Sequence, residues 1–317
     1  SFVEKTMDGS RPKVKVSQTG VCEGARPLLN NYAGSAYVKT TEGCSNHCTF
    51  CAIPLIRGEL RSRKMSSIIN EIKVLVARGV YEINLIGQDL AAYGTGVTDG
   101  ADEGKNDSGR SPLSVLLSEI SKLTGNFIVR LLYIHPDHFP MDIIPVMKAD
   151  ERFVHYFDIP FQSGDDAIIK AMNRHGTSES YASMIEAIRR ELPDVVLRTT
   201  FMAGVPGEKK KNFLNTLNFL KRIEADWSGT FAYSREDDTP AFDMKGQNRL
   251  KKSEKRAAML QEAQEEITFR KLQKYVGQTT SVLIEEIIPN EEEGLALGRS
   301  WFQAPDVDGS VVVRYEA

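Results

Sequence analysis

The chain has 317 residues, with 40 Lys and Arg against 43 Asp and Glu, so its formal net charge is −3. This balance argues against a protein coated with positive charge for nucleic acid, although it leaves local basic patches open. A composition of 41% hydrophobic and 26% charged residues indicates a globular protein with one large core or two unequal ones. No apolar run approaches the roughly 18 residues of a membrane span, and the N-terminus lacks the apolar core of a secretory signal, so we expect a cytoplasmic protein without a membrane partner.

The four cysteines are too few and too local for the disulfide framework of a secreted protein, which favours metal binding or redox chemistry. Three of them, Cys44, Cys48 and Cys51, form a CxxxCxxC pattern in "EGCSNHCTFCAIP", residues 42–54. Cys22 lies outside that spacing, and we expect it to be a free thiol.

Short apolar runs alternate with segments of helical periodicity. Strands are predicted, in chain order, in "SAYVKTTEG", "YEINLIGQD", "FIVRLLYIHP", "HYFDIPFQSG", "VVLRTTFMAGVPG" and "SGTFAYSR". Between the first two, "SSIINEIKVLVARG" has the apolar stripe of a helix, with Ser66 or Ser67 as N-cap and Gly79 just past the end. Six strands separated by helices predict an α/β fold, a partial (βα)6 barrel whose active site lies at the carboxyl ends of the strands.

Composition divides the chain into four parts. Residues 1–32 are polar and are predicted to be a linker, and residues 33–248 are predicted to form the barrel. The charged segment 249–276 is predicted to be a connecting helix. Residues 277–317 contain alternating or apolar runs bounded by Pro, Asn and Gly, which predict a small antiparallel β module. Because the chain stops inside its last predicted strand, we expect this module to be cut short.

The three clustered cysteines have two readings. Structural zinc usually takes four ligands, and His47 or Cys22 could supply the fourth, so zinc stays open. Three thiolates also suit a 4Fe–4S cluster that leaves one iron free for a small-molecule ligand.

The CxxxCxxC loop, with Phe50 just before its last cysteine and a βα barrel around it, resembles that of the radical S-adenosylmethionine (SAM) superfamily. The resemblance implies that Cys44, Cys48 and Cys51 hold a catalytic 4Fe–4S cluster. It also implies that the open iron chelates the amino and carboxylate groups of SAM, and that reduction yields a 5'-deoxyadenosyl radical. Soft thiolates suit the iron–sulfur core, and the open iron offers a hard N/O site.

Further stretches resemble the methylthiotransferases of this superfamily over nearly the whole chain: "INLIGQDLAAYG", "FDIPFQSGDDAIIKAMNR", "LRTTFMAGVPGE" and "LGRSWFQAPDVDG". The branch resembled most modifies an aspartate of ribosomal protein S-twelve, and a sister branch modifies an adenosine of transfer RNA. The resemblance implies a C-terminal TRAM module that recognises substrate and a reductant such as flavodoxin. It also implies an N-terminal domain that binds a second 4Fe–4S cluster. We expect this domain to precede residue 1 and to be joined to the barrel by the linker of residues 1–32.

The resemblance implies a set of SAM-binding residues: Phe50, Gly87, Gln88, Gln162, Arg198 and Gly204. Gly87 and Gln88 end the second strand, in a motif whose backbone holds the methionyl amino group. Gln162 and Arg198 are expected to end later strands, with Arg198 supplying a guanidinium for the SAM carboxylate. Gly204, in the adenine-binding turn "AGVPGE", would permit close backbone approach. The roles of Asp89 and Glu208 stay open.

Four more residues are predicted to contact the substrate: Arg57, Arg61, Arg63 and His135. The three arginines follow the cluster loop and could line an entrance, although such charges are as often simply solvated. His135 ends a predicted barrel strand, which suits either a polar substrate contact or a capped strand end.

Charge helps to choose the substrate class. From residue 277 to 317 the acidic residues are Glu285, Glu286, Glu291, Glu292, Glu293, Asp306, Asp308 and Glu316. Against them stand Arg299 and Arg314, so eight minus two leaves six net negative charges. A polyanion would be repelled, whereas a basic ribosomal protein fits. The prediction is therefore a transferase acting on the ribosomal aspartate; the alternatives are methylthiolation of a transfer RNA adenosine and a non-enzymatic, metal-stabilised RNA-binding protein, and RNA contact stays open.

Overall fold

The computed structural model describes residues 34–98, 109–289 and 294–316; Cys22 and the predicted linker lie outside these ranges. Its strands are, in chain order, β1 Ser35–Lys39, β2 Thr41–Glu42, β3 Arg61–Ser62, β4 Glu82–Ile86, β5 Val97–Thr98, β6 Ile128–Leu131, β7 Phe153–Asp158, β8 Val196–Ala203, β9 Trp227–Ala232, β10 Leu283–Ile288, β11 Gly294–Arg299 and β12 Val311–Tyr315. Its α-helices are α1 Ile53–Arg57, α2 Met65–Ala77, α3 Pro112–Ser121, α4 Ile144–Ala149, α5 Asp166–Ala171, α6 Ser178–Glu191, α7 Lys210–Ile223, α8 Pro240–Asp243 and α9 Leu250–Leu272.

The main sheet has six strands in the order β1-β4-β6-β7-β8-β9, which is also their order along the chain. All neighbouring pairs are parallel. Each connection therefore returns from the carboxyl end of one strand to the amino end of the next, and helices occupy these crossovers. The predicted α/β fold with six βα units is confirmed.

Helix α2 shows where local prediction succeeds and fails. Ile68, Ile72 and Leu75 are buried on the predicted apolar stripe, and Gly79 follows the helix with a φ of 84°. The predicted cap is wrong, because the N-cap is Lys64, whose extended backbone carries no side-chain cap. The helix therefore begins at Met65, and Ser66 lies inside its first turn.

The C-terminal part consists of a long helix and a small sheet. Helix α9 runs along the barrel and buries Leu260 and Ile267. Strands β10, β11 and β12 form a separate antiparallel sheet, as predicted for this module.

Buried charges join this module to the amino ends of the barrel strands. Glu82, the first residue of β4, accepts hydrogen bonds from Nη2 of Arg130 at 2.9 Å and from Nη2 of Arg299 at 2.6 Å. Arg130 also donates to the Trp301 carbonyl at 2.8 Å. All three charged side chains are almost completely buried, so the three together form what we term the amino-end network.

A second set of contacts lies beside the amino-end network. Asp308 accepts hydrogen bonds from the Tyr156 hydroxyl at 2.5 Å and from Nε of Arg198 at 3.2 Å. Nε1 of Trp227 donates to the Phe302 carbonyl at 2.8 Å. These contacts place the module at the amino end of the barrel. The cysteine loop lies at the opposite, carboxyl end.

Candidate active site

The cysteine loop follows β1 and β2 at the carboxyl end of the sheet. The Cys44 N–H donates to the Gly58 carbonyl at 3.1 Å, and the Cys51 N–H donates to the Cys48 carbonyl at 3.0 Å. Cys48 is buried, whereas Cys44 and Cys51 are partly exposed. These bonds hold the three thiols on one short loop at the mouth of the barrel.

The "IGQD" turn after β4 supports this loop. Oε1 of Gln88 accepts a hydrogen bond from the Gly43 N–H at 2.9 Å, immediately before the first cysteine. A Cβ at Gly87 would lie 2.1 Å from Oγ1 of Thr41, so only glycine lets the turn pack against β2. These contacts explain both residues through the position of the loop, and their contact with SAM stays a prediction.

Each cysteine sulfur faces one nitrogen. Nδ2 of Asn46 donates to Sγ of Cys44 at 3.3 Å, and the Ile53 N–H donates to Sγ of Cys51 at 3.5 Å. Nε2 of His135 lies 3.9 Å from Sγ of Cys48. N–H groups of this kind stabilise negative sulfur and help to set the potentials of iron–sulfur clusters.

The thiols of Cys44 and Cys51 are neutral when no metal is bound. Burial raises the pKa of Cys44 to about 11, against the lowering effect of a hydrogen bond from the backbone N–H of Asn46. Burial likewise raises the pKa of Cys51, although the Ile53 N–H lowers it. Metal or cluster binding at these sulfurs must therefore release protons.

Residues 34–98, 109–289 and 294–316 contain no preformed site for a zinc ion. No three His, Cys, Asp or Glu side chains there are gathered to hold a single metal ion. His47, a candidate fourth ligand, is largely exposed, with Nε2 3.5 Å from Oε1 of Glu59.

Asp89, left without a role by the sequence, is the centre of a hydrogen-bonded group beside the cysteines. Its buried Oδ2 accepts from Nδ2 of Asn46 at 2.8 Å and lies 2.5 Å from Nε2 of His138. Burial raises the pKa of Asp89, but the His138 and Asn46 hydrogen bonds outweigh it and lower the pKa. The hydrogen bond to Asp89 correspondingly raises the pKa of His138.

His135 lies inside this group and is buried rather than open to a substrate. Burial and the charge of Arg174 lower its pKa to about 3, so the ring is neutral at physiological pH. Its Nδ1 accepts a hydrogen bond from the Asp137 N–H at 3.3 Å. A neutral ring that accepts at Nδ1 carries its proton on Nε2, the atom that faces Cys48.

Two buried polar atoms near the end of β7 have no hydrogen-bond partner among the described residues: Oε1 of Gln162 and Nε of Arg174. Gln162 has a φ of 67°, and Nη1 of Arg174 donates to the carbonyls of Pro160 and Phe161 just before it. Unpaired buried polar groups are costly, and they often mark a ligand site. An amino-acid head group, with an amino N–H donor and a carboxylate acceptor, has the complementary chemistry.

The prediction for Arg198 needs correction. It is the third residue of β8 and lies toward the amino end of that strand, not at its carboxyl end. Its Nη1 donates to Asp158 and its Nε to Asp308, each at 3.2 Å. Because two carboxylates already neutralise the guanidinium, its contacts are those of the barrel–module junction. Arg174, which the sequence analysis did not single out, is the buried arginine that lies beside Gln162, where it donates to the carbonyls of Pro160 and Phe161.

Gly204 is also explained by packing. Its φ is +84°, and a Cβ there would lie 1.8 Å from Oγ of Ser253 on α9. Its N–H donates to Oε1 of Glu208 at 3.0 Å, and Glu208 pairs with Arg256 of the same helix. The "AGVPGE" turn therefore holds α9 against the barrel. Phe50, also predicted to contact SAM, packs against a buried apolar cluster that includes Ile168 and Tyr233.

Burial does not fit an entrance role for two of the three predicted substrate arginines. Arg63 is 2% exposed and donates to the Lys39 carbonyl at 2.7 Å and pairs with Glu71 at 2.6 Å. Arg61 is also buried, with Nη2 on the Arg57 carbonyl at 3.1 Å. Arg57 is exposed and reaches Oε1 of Glu42 at 3.3 Å, so it alone of the three stays available to a substrate.

Comparison with known proteins identifies the family. The radical SAM superfamily model matches residues 38–220, and the TRAM domain model matches residues 276–317. The chain is 50% identical, over 99% of its length, to ribosomal protein uS12 methylthiotransferase RimO of Treponema denticola, of which it covers 68%. The chain belongs to the radical SAM family of uS12 methylthiotransferases. A RimO of Acetivibrio thermocellus is 40% identical over 90% of the chain, which covers 60% of that relative.

The solved structures support the fold of this radical SAM chain. The methyltransferase TsrM from Kitasatospora setae, with cobalamin and a 4Fe–4S cluster bound, matches 65% of the chain at a TM-score of 0.51 and 16% identity; the match covers 38% of TsrM. Family membership implies a 4Fe–4S cluster and SAM, and the residues fit both. Three thiols with facing N–H donors suit the cluster, and the unpaired atoms at Gln162 and Arg174 suit the head group of SAM. No helix in the described part of the chain is both long and apolar enough to cross a membrane.

Proposed function

We propose that this chain performs the radical chemistry by which a methylthio group is inserted at an unactivated C–H of an aspartate in ribosomal protein uS12. The observation that carries the proposal is the cysteine loop at the open end of the barrel, with an N–H or ring nitrogen facing each sulfur. Its identity with RimO relatives supports the substrate, although the chain spans only about two thirds of their length.

In this proposal Cys44, Cys48 and Cys51 hold one 4Fe–4S cluster. When bound, the cluster and SAM supply the electron and the 5'-deoxyadenosyl radical that removes a hydrogen atom from the aspartate. Oε1 of Gln162 would accept a hydrogen bond from the amino group of SAM, and the guanidinium of Arg174, in place of Arg198, would bind its carboxylate. Phe50 and the "IGQD" backbone are proposed to complete this site.

Sulfur insertion is proposed to need a second cluster, from the N-terminal domain expected of the family. Outside the CxxxCxxC loop the sequence has one cysteine, Cys22, which is too few for another three-cysteine cluster. A reductant such as flavodoxin and a cytoplasmic location, where ribosomal proteins are made, belong to the same proposal.

Metal analysis with electron paramagnetic resonance (EPR) tests the cluster. Anaerobically reconstituted protein should contain about four iron and four sulfide, and its reduced spectrum should shift when SAM is added. Arg174→Gln should keep the iron but weaken this SAM-dependent shift, and Arg174→Lys should restore part of it. Stoichiometric zinc in place of iron would refute the proposal and favour the non-enzymatic, metal-stabilised alternative.

A competition experiment tests the substrate. A full-length enzyme that contains this sequence is offered uS12 and unmodified transfer RNA together, and the products are separated by mass spectrometry. We expect methylthiolation of the aspartate alone, since the sequence of the C-terminal module is acidic and phosphates would be repelled. Methylthio-adenosine among the products would assign the chain to the sister branch.

A further inference from the structure

The Asp89 group extends the cysteine site beyond the three ligands themselves. One carboxylate, 1% exposed, holds both the side chain of Asn46 and the backbone of His135. Asn46 and His135 in turn face the sulfurs of Cys44 and Cys48. Two of the three cysteines are thus linked through one hydrogen-bonded carboxylate.

The orientation of the Asn46 amide is fixed by its neighbours. The same nitrogen, Nδ2, lies 2.8 Å from Oδ2 of Asp89 and 3.3 Å from Sγ of Cys44. Carboxylate oxygen and cysteine sulfur are both acceptors, so the amide must present its NH2 rather than its oxygen to them. Each of its two N–H bonds then has one acceptor.

The His135 ring is oriented from two sides. Its backbone N–H donates to Oδ1 of Asp89 at 3.4 Å, and its Nδ1 accepts from the Asp137 N–H. The ring also stacks on His138, with centroids 4.9 Å apart, and His138 is itself bound to Asp89. The Nε2–H is left directed at Cys48, 3.9 Å from its sulfur.

We propose that Asn46 and His135 tune the reduction potential of the cluster by donating N–H groups to the Cys44 and Cys48 sulfurs, and that Asp89 is the positioning residue for both. This inference rests on the proposed function, because it assumes a cluster on these cysteines. The positive end of each N–H dipole stabilises the electron added on reduction, so each donor raises the potential. Residues that bind neither iron nor SAM thereby decide how readily the reductant transfers an electron to the cluster.

The test is an EPR-monitored redox titration of reconstituted protein without SAM, which reports the potential rather than activity. In Asn46→Ala the carboxylate of Asp89 keeps its bond to His138, so the variant removes a sulfur donor without stranding the charge. Asn46→Ala and His135→Phe should each lower the equilibrium constant for one-electron reduction about tenfold, which is 59 mV. Asn215→Ala, which removes an amide donor from Asp165, and His155→Phe are the matched controls and should not change it.

Asp89→Asn separates positioning from a simple charge effect by the sign of the shift. Loss of a nearby negative charge alone would raise the potential, whereas loss of oriented donors lowers it. We expect the potential to fall as in Asn46→Ala; a rise would overturn the role of Asp89. Unchanged potentials in iron-replete Asn46→Ala and His135→Phe would overturn the donor roles, and where either loses iron the milder Asn46→Ser and His135→Gln decide. Wild-type protein that binds no iron would instead refute the proposed function itself.

Discussion

Replacing Glu82 with glutamine should loosen the C-terminal module from the barrel. The Glu82 carboxylate bonds to Arg130 and Arg299 and also accepts from Oγ of Ser35 at 2.8 Å. Glutamine keeps the volume but removes the charge, and its NH2 would face an arginine. Two guanidinium groups would then be buried beside a neutral amide.

Two independent estimates give the cost. Burial alone raises the pKa of Glu82, but the hydrogen bond with Arg299 and the charges of both arginines lower it from 4.5 to about 2. A shift of that size corresponds to about 3 kcal/mol of folding stability at pH 7. Removing one partner from a buried ion pair typically costs about 3–5 kcal/mol. We therefore expect the free energy of unfolding to fall by about 3 kcal/mol.

The tryptophans provide a local probe. The chain has two, Trp227 and Trp301, and each contributes a hydrogen bond to the barrel–module junction. Urea unfolding followed by tryptophan fluorescence thus reports undocking of the module, while circular dichroism follows the helices. In Glu82→Gln the fluorescence transition should move to lower urea, ahead of the dichroism transition. Glu119→Gln, which breaks an exposed pair with Lys122, is the control and should cost less than about 0.5 kcal/mol.

The pH dependence provides the refutation. A carboxylate with a lowered pKa stabilises the fold above its unfolded value of 4.5, and this contribution is lost as pH falls toward 2. The difference between wild type and Glu82→Gln should shrink by about 1 kcal/mol between pH 7 and pH 4. A difference below about 1 kcal/mol at pH 7, or one that does not change with pH, would show that the amino-end network does not hold the module.

Three further predictions concern the site and its support. Cys48→Ala should abolish bound iron after anaerobic reconstitution, whereas Cys22→Ala should retain it; full iron in Cys48→Ala would contradict the ligand assignment. Reduced with dithionite, the 317-residue chain should form 5'-deoxyadenosine but no methylthiolated product, and product at the rate of a full-length relative would refute the division of labour between clusters. Gly204→Ala should destabilise the chain by about 2 kcal/mol or more in urea unfolding, because it combines a left-handed φ with a clash at Ser253. Adding Ser253→Gly should recover the steric part only, and a full recovery would contradict the backbone argument.

Periodicity and spacing predicted what depends on neighbours in sequence. The six strands, their helical crossovers and the position of the CxxxCxxC loop all follow from apolar patterns and from three cysteines within eight residues. Gln162 was likewise found by its place after a strand, and the structure leaves its Oε1 unpaired. The predicted N-cap of α2, Ser66 or Ser67, failed at the same level, because the helix begins at Met65 after Lys64, which provides no side-chain cap.

Contacts between distant residues could not be predicted in this way. Asn46 and Asp89 are 43 positions apart, and Glu82 and Arg299 are 217 apart. Nothing local marks Arg174 as a buried cation, since it follows a helix in an ordinary polar stretch. The prediction that Arg198 binds the SAM carboxylate failed for the same reason. An arginine in an apolar strand needs an anionic partner, and the structure supplies Asp158 of the barrel and Asp308 of the C-terminal module.

The "LGRSWFQAPDVDG" stretch, which resembles the family so closely, is largely buried where the C-terminal module contacts the barrel. Arg299, Phe302, Ala304 and Asp308 are all less than a tenth exposed. Asp308 and Arg299 are buried, so neither presents its charge to a substrate. Because the two charges are opposite, leaving both out of the count still gives six net negative charges, seven acidic residues minus Arg314. The charged residues that the described part of the module exposes include Glu286, Arg314 and Glu316. A module exchanged between branches would have to supply a carbonyl acceptor for Arg130 and a carboxylate for Arg198, because without them these buried arginines keep only their barrel partners, Glu82 and Asp158.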